Sequence, residues 1–394
     1  MGNNDSKEEA VKRKHHHGNS SSSPQQSFSD GKFEAFYDTL VQKHGQLDEQ
    51  AFDKIFGSKI GPAIRKYYIG EQCGLITKDE FIKKTGVFFE INHQIFGQIF
   101  GDVQSYLDAC FDGSNITRTG KDDSICSEIE DNIKAEGSGS SAIIQYMESE
   151  FPRICIPLQA NIINALSSRP KVTFDFTSSI LTEVQMFLLK SALNPIVYLN
   201  VKDQDAEKET GKSYWSLLYS SATQGISVNR FENNTFDYKK PSVTILQLNN
   251  GQVCVIALDT EWRHSNKKFG GFHSAFIQFK PCYKRINKNE SIYCNFKLKS
   301  SPMGLIYGNN ELNVKGDFSN VDNIEVWGCG DETDLAAQQK QKQWYKNQAD
   351  KNKKVPLPGN WDENPDKIIL GMGGIQLSNE RRDQGPDDTI ARKF

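Results

Sequence analysis

The sequence lacks a long hydrophobic run, paired cysteines and an excess of positive charge, and each absence removes a class of protein. Its longest apolar stretch, Val184 to Leu199, is broken by Lys190, Ser191, Asn194 and Pro195, whereas a bilayer-spanning helix needs about 20 predominantly apolar residues. No transmembrane helix is expected. No apolar core follows Met1, so no secretory signal is expected either. The 8 cysteines are scattered without a C-x-x-C pair in a chain of 394 residues, a size that needs no covalent staples, and they read as reduced thiols of a cytosolic protein. Lys and Arg total 47 against 50 Asp and Glu, a formal net charge of -3. Nucleic-acid-binding domains carry a marked basic excess, so no nucleic-acid partner is expected.

What remains is a composition of 37% hydrophobic, 11% aromatic and 25% charged residues. That is a soluble globular balance, and at about 150 residues per domain the length admits two or three domains. Residues 1–30 are rich in Ser, Gln, Asn and charge, with little to bury, and read as a disordered tail. The tail begins Met1-Gly2-Asn3-Asn4-Asp5-Ser6, the M-G-x-x-x-[ST] pattern in which loss of Met1 exposes Gly2 for N-myristoylation. One myristoyl chain gives only marginal, reversible membrane binding. The adjacent Lys7, Lys12, Arg13 and Lys14 are largely offset by Asp5, Glu8 and Glu9, so the tail offers only a weak electrostatic second signal. His15, His16 and His17 read as a solvated run that gains charge as pH falls.

Residues 31–111 carry apolar residues at helical spacing, among them Phe33, Phe36, Tyr37 and Leu40, then Ile95, Phe96, Ile99 and Val103. Between two helical stretches, Ile69 to Glu80 aligns with a twelve-residue EF-hand loop: Gly74 stands at position 6, Ile76 at 8 and Glu80 at 12. Positions 1, 3 and 5, which should supply oxygen ligands, hold Ile69, Glu71 and Cys73. A second ghost loop runs from Leu40 to Ala51. We expect EF-hand-like helices that have lost calcium, with no metal or calcium cofactor. Residues 112–142 are polar and rich in Gly and Ser and read as a linker or loose insertion. Residues 143–173 resume as a helical connector.

From Ser179 the sequence opens a strongly apolar helix ending near Leu193, and after a polar excursion from Asp203 to Lys212 the period changes to that of strands. Val243, Ile245 and Leu248, then Asn249-Asn250-Gly251, then Val253, Val255 and Ile256 make a hairpin signal. Further strands read at 274–279, 291–296, 303–307 and 323–327.

The order of an Ile180-Leu181-Thr182-Glu183 helix, Trp215-x-Leu217-Leu218-Tyr219-Ser220-Ser221, Gly225-x-Ser227, a hairpin, Gly270 with Phe276 and Phe279, and Ile324-Glu325-Val326-Trp327 resembles a TLDc domain over residues 174–330. The whole layout, with its lipidation start and degenerate EF-hand-like helices, is similar to the myristoylated mTOR-associated TLDc subclass of lysosomal membranes. The resemblance implies an α+β chain whose C-terminal part is a β-sandwich flanked by helices. It also implies a cytoplasmic protein, peripheral on lysosomal or endosomal membranes, that binds the vacuolar proton pump or TOR-pathway components and supports oxidative-stress resistance without catalysis. Gly225, Ser227 and Glu325, with Trp344 and Tyr345 in the C-terminal helix and tail of residues 331–394, where the charged segment from Asp331 to Lys354 reads as the helix, are the candidate partner contacts. Glu325 alternates with Ile324 and Val326, which also fits a solvent-facing strand position.

One departure from the family pattern concerns Pro302 to Phe318, which reads as too short for the expected strand pair. Ile368 to Leu377 around Gly371-Met372-Gly373-Gly374 is expected to supply the missing strands, so that removing residues 355–394 would make the domain insoluble. Those glycines lack the Walker A and dinucleotide patterns. Asp259, His264, His273 and Ser274 are the residue types of a hydrolytic triad, but Ser274 lacks a G-x-S-x-G elbow, and no H-E-x-x-H helix is present. No catalytic residue is assigned. The competing readings are a calcium-responsive module and an oxidative-stress-defence enzyme using Ser274 or Cys254.

Overall fold

The computed structural model describes residues 24–70, 74–89, 93–199, 215–353 and 365–374. Gly2, the histidines at 15–17, Glu71, Cys73 and the polar excursion at 203–212 lie outside the described residues. The chain divides into two compact units, Met1–Leu335 and Ala336–Phe394.

The first unit begins with helices: α1 (Pro24–His44), α2 (Glu49–Phe56), α3 (Gly61–Ile69), α4 (Lys78–Thr85), α5 (His93–Phe100), α6 (Val103–Gly113), α7 (Asp123–Glu136), α8 (Ser140–Glu150) and α9 (Ile156–Leu166). α1 packs on α4, α2 on α3, α5 on α8 and α6 on α9. Helix α9 is buried nearly all round, from Ile156 and Leu158 to Ile163 and Leu166, as expected of a helix at the centre of a bundle. Two of its buried amides donate inside: Gln159 Nε2 to Phe88 O at 2.8 Å and Asn161 Nδ2 to Gly113 O at 2.6 Å. Gly113 is needed at that crossing, because a Cβ there would stand 2.7 Å from Leu158 Cα.

Where a linker is expected at 112–142, the structure has α7. Ile125, Cys126, Ile129 and Ile133 form one buried face of it, and the charged residues that dilute the composition sit on the other. This region also fastens the helices to the C-terminal part of the unit. Thr182 Oγ1 donates to Asp122 Oδ1 at 2.5 Å, and Glu128 Oε2 accepts the Tyr283 N–H at 2.8 Å. Arg285 Nη1 donates to the carbonyls of Ser149 and Glu150 at 2.9 and 2.8 Å.

The C-terminal part of the unit is α10 (Glu183–Ala192), α11 (Pro195–Tyr198), β1 (Ser216–Ser220), α12 (Ser221–Gln224), α13 (Val228–Thr235) and strands β2 (Ser242–Leu248), β3 (Val253–Leu258), β4 (Ala275–Lys280), β5 (Lys284–Asn287), β6 (Ile292–Asn295), β7 (Gly304–Tyr307), β8 (Leu312–Lys315) and β9 (Val321–Gly328). One sheet runs β1-β9-β2-β3-β4-β5 and the other β6-β7-β8, with every pairing antiparallel. The fold is α+β. Side chains alternate across a strand, and here both faces are apolar. Leu246, Leu248, Cys254, Ile256, Leu258, Phe276, Ile324 and Val326 join β6–β8 in one core. Val243, Ile245, Val255, Ala257, Ile277 and Phe279 join the core of the helices, α10 included. The bundle and the large sheet therefore share a single core.

The charged C-terminal stretch forms α14 (Glu332–Lys353), whose residues from Ala336 on belong to the second unit. Two strand expectations are corrected. Residues 302–318 do hold a strand pair, β7 and β8, turning at Gly308 (φ +60) and Asn310 (φ +88). Four-residue strands fit where longer ones would not. Residues 365–372 form a helix, α15 (Pro365–Met372), because an isolated Ile-Ile-Leu run is equally compatible with either element. The sheets draw their strands from Ser216 to Gly328 without it.

Candidate functional site

Glu325 lies on β9 between β1 and β2, and its side chain faces the helical core, where it is 3% exposed. The solvent-facing reading of this residue is overturned. Oε1 accepts the Ser179 N–H at 2.7 Å and the Ser179 hydroxyl, and Oε2 accepts the Ser178 hydroxyl at 2.6 Å and Trp327 Nε1–H at 3.3 Å. Ser178 Oγ in turn accepts the backbone N–H groups of Ile180 and Leu181, both at 3.1 Å. A single buried carboxylate thus ties the approach to α10 onto β9, the second strand of the large sheet.

An aromatic and cationic group lies along the same edge. Trp215 and Trp327 have ring centroids 6.5 Å apart. Lys190 Nζ stands 4.9 Å from the Trp215 ring and 5.5 Å from Phe176, and donates to Asp175 O at 2.6 Å. Burial pulls the Lys190 ammonium down to about 8, opposed by Asp175 and Cys329. The geometry suits a structural cation-π clasp.

Gly225 and Ser227 sit around the Tyr219 hydroxyl. Tyr219 Oη donates to Gly225 O at 2.7 Å and accepts the Ser227 N–H at 3.2 Å. Gly225 takes φ +75, a conformation that favours glycine, and Ser227 caps α13 through the Arg230 N–H. Both residues shape the turn into α13. Trp344 and Tyr345, on α14 in the second unit, are 56% and 47% exposed with rings 5.3 Å apart.

The triad residue types do not assemble as one. Ser274 is 1% exposed and gives its hydroxyl proton to Asp259 Oδ1 at 2.7 Å, while His273 Nδ1 lies 3.3 Å from Asn194 Nδ2. His264 is elsewhere: its Nδ1 accepts the Phe296 N–H at 3.4 Å, leaving the ring proton on Nε2, 3.1 Å from Glu232 Oε1. Burial holds this imidazole below its ordinary value, with Glu232 opposing and Lys297 adding to the shift. Cys254 is fully buried, and desolvation raises its thiol far from the thiolate form. Among the described residues no group of three or more His, Cys, Asp or Glu is placed to hold a metal ion. Where the loop between α3 and α4 ends, Glu80 in the first turn of α4 forms a capping box: its Oε2 accepts the Thr77 N–H at 3.4 Å and hydroxyl at 3.0 Å, while its own N–H donates to Thr77 Oγ1. Gly74 is described in that loop but has no neighbour at its Cβ position.

Sequence reasoning missed Ser178 and Ser179 as the partners of Glu325, and the exposed loop at Phe272. An S-S pair before a helix signals capping, but nothing local assigns its acceptor to a strand 146 residues later.

A layered α+β unit with one carboxylate pinning β9 defines the class of domain here. Residues 174–320 match the TLDc domain family, a family with roles in oxidative-stress resistance. The match covers β1 to β8 and stops just before β9. No curated protein matches the chain.

Proposed function

We propose that the protein is a non-catalytic, membrane-associated adaptor of the TLDc type. Its Gly2 carries a myristoyl group, its EF-hand-like helices no longer respond to calcium, and its TLDc part docks on a protein complex of the cytosolic face of endolysosomal membranes. The vacuolar proton-pumping ATPase is the first partner to test and TOR-pathway components the second, with oxidative-stress resistance as a downstream role. The TLDc match at residues 174–320 carries the reading. The site adds support: Glu325, Asp259 and Ser274 are committed to internal hydrogen bonds, and the large hydrophobic side chains left exposed include the aromatics Phe272, Trp344 and Tyr345, a residue type enriched at protein interfaces.

Affinity purification of wild type beside Gly2→Ala, with identification of bound proteins and membrane partitioning, tests it. Pump or TOR-pathway subunits should co-purify, and Gly2→Ala should leave the membrane fraction; equal partitioning of the two sinks the lipid reading. For the helices, calorimetry with calcium should give no micromolar binding heat. Heat that disappears in Glu80→Ala would replace this reading with a calcium-responsive module.

A further inference from the structure

A braced loop between β3 and β4 presents an exposed aromatic at its tip, its ring edge-on to the neighbouring His273 at 5.2 Å. Phe272 is 83% exposed, yet the backbone on either side of it is fixed. Asp259 Oδ1 accepts the Gly271 N–H at 2.7 Å and the Ser274 hydroxyl at 2.7 Å, and Oδ2 accepts the His273 N–H at 2.9 Å. Gly271 allows this approach, since a Cβ there would fall 2.5 Å from Asp259 Oδ2, and Gly270 takes φ +111. From the other side, Tyr198 Oη donates to His273 O at 2.9 Å. Ile196, on α11 between Asn194 and Tyr198, is itself 66% exposed.

Basic residues outnumber acidic ones in the loop. Arg263, Lys267 and Lys268 are exposed, with Arg263 also over the Phe269 ring and Lys268 Nζ donating to Gly308 O at 2.7 Å, while the acidic residues are Asp259, engaged by the Gly271 and His273 N–H groups, and Glu261, paired with Lys239. Glu290, whose N–H donates to Gly270 O at 3.0 Å, is a further acidic neighbour across the adjoining turn, and Lys288 stands two residues from it. An apolar side chain held outward by a stiff, basic loop matches a surface of anionic headgroups over hydrocarbon. The N-terminal tail calls for such a second contact, because a single myristoyl chain binds marginally and the tail's own basic residues are offset by acidic ones.

We propose that residues 263–273 form a membrane-contacting loop, with Phe272 entering the interface and Lys267 facing anionic lipid. The assignment rests on the membrane-associated reading above. The full chain, prepared with and without N-myristoylation, is sedimented with phosphatidylcholine vesicles and with vesicles that also contain phosphatidylserine. The unlipidated chain should prefer the anionic vesicles in a salt-sensitive way. Phe272→Ala should lower its partition coefficient about tenfold and Lys267→Ala about fivefold, with melting curves unchanged because both side chains are exposed. If both variants partition like wild type, the loop assignment is overturned. It is equally overturned if Phe272→Ala keeps vesicle binding and loses a co-purifying protein, which would make the loop a protein contact. In the myristoylated preparation, Gly2→Ala behaving as wild type removes the lipid reading and leaves the loop comparison in the unlipidated chain standing.

Discussion

Replacing Glu325 with glutamine changes one atom and should be costly. A glutamine must place its NH2 where either Oε1 or Oε2 now stands. At the Oε1 position the amide meets the Ser179 backbone N–H, which cannot accept. At the Oε2 position it meets Trp327 Nε1–H and the Ser178 hydroxyl, whose oxygen already accepts from Ile180 and Leu181. Both orientations set donor against donor in a site that is 3% exposed. Hydrogen bonds to a charged group contribute about 1.5–3 kcal/mol each, and a buried group left without its partner costs about 1–3 kcal/mol. Glu325→Gln should therefore destabilise the protein by ~3 kcal/mol, and Glu325→Ala by at least as much. Urea unfolding followed by tryptophan fluorescence reads this as a lower midpoint with an unchanged slope. A glutamine variant within about 0.5 kcal/mol of wild type, the range of ordinary surface substitutions, would refute the carboxylate's pinning role.

Truncation after Lys353 should leave the melting curve unchanged, because the sheets close on strands from Ser216 to Gly328; insoluble protein would show that residues 365–374 support them after all. Conversely, residues 174–335 made alone should aggregate, since Val243, Ile245, Val255 and Ile277 lose the helical side of their core, and a soluble fragment with a cooperative melt would contradict the shared core. Acid should destabilise the protein below pH ~6.5. Burial holds His93 and His264 below their ordinary value, so the unfolded chain takes up protons first and their stabilisation, intact above the unfolded value, is lost as pH falls through the folded ones. Glu150, raised by burial, acts in the opposite sense. The loss in urea midpoint between pH ~7.5 and ~5.5, which brackets the ordinary imidazole value, should thus be smaller in His93→Gln than in wild type, and an equal or larger loss would refute the assignment.

The parts legible in the sequence are those whose cause is local. Asn249-Asn250-Gly251 marks the β2–β3 hairpin and Gly251 adopts φ +85, while Thr77-x-x-Glu80 starts α4. That same Glu80 also fits the end of a calcium loop, since a capping box and the loop's last ligand share one spacing. β5, Lys-Arg-Ile-Asn, is a polar edge strand without a hydrophobic alternation to betray it, and α7 hides a good apolar stripe under a polar average. At the site, the importance of Glu325 could be read from its neighbours in β9, but its orientation could not, because both sheet faces are covered and alternation no longer tells inside from outside.

The place of β9 has a consequence for synthesis. It lies second in the large sheet, flanked by β1 and β2, yet it is the last of the described strands to be made. Until Gly328 has emerged from the ribosome, β1 has no partner and β2 has a bare edge, so the nascent protein must keep apart strands that are made well before their shared neighbour. Chains that stop early present open strand edges, the feature that promotes aggregation. Completion of the final strand is therefore the event that commits the whole sheet, and chaperone engagement should be longest just before it.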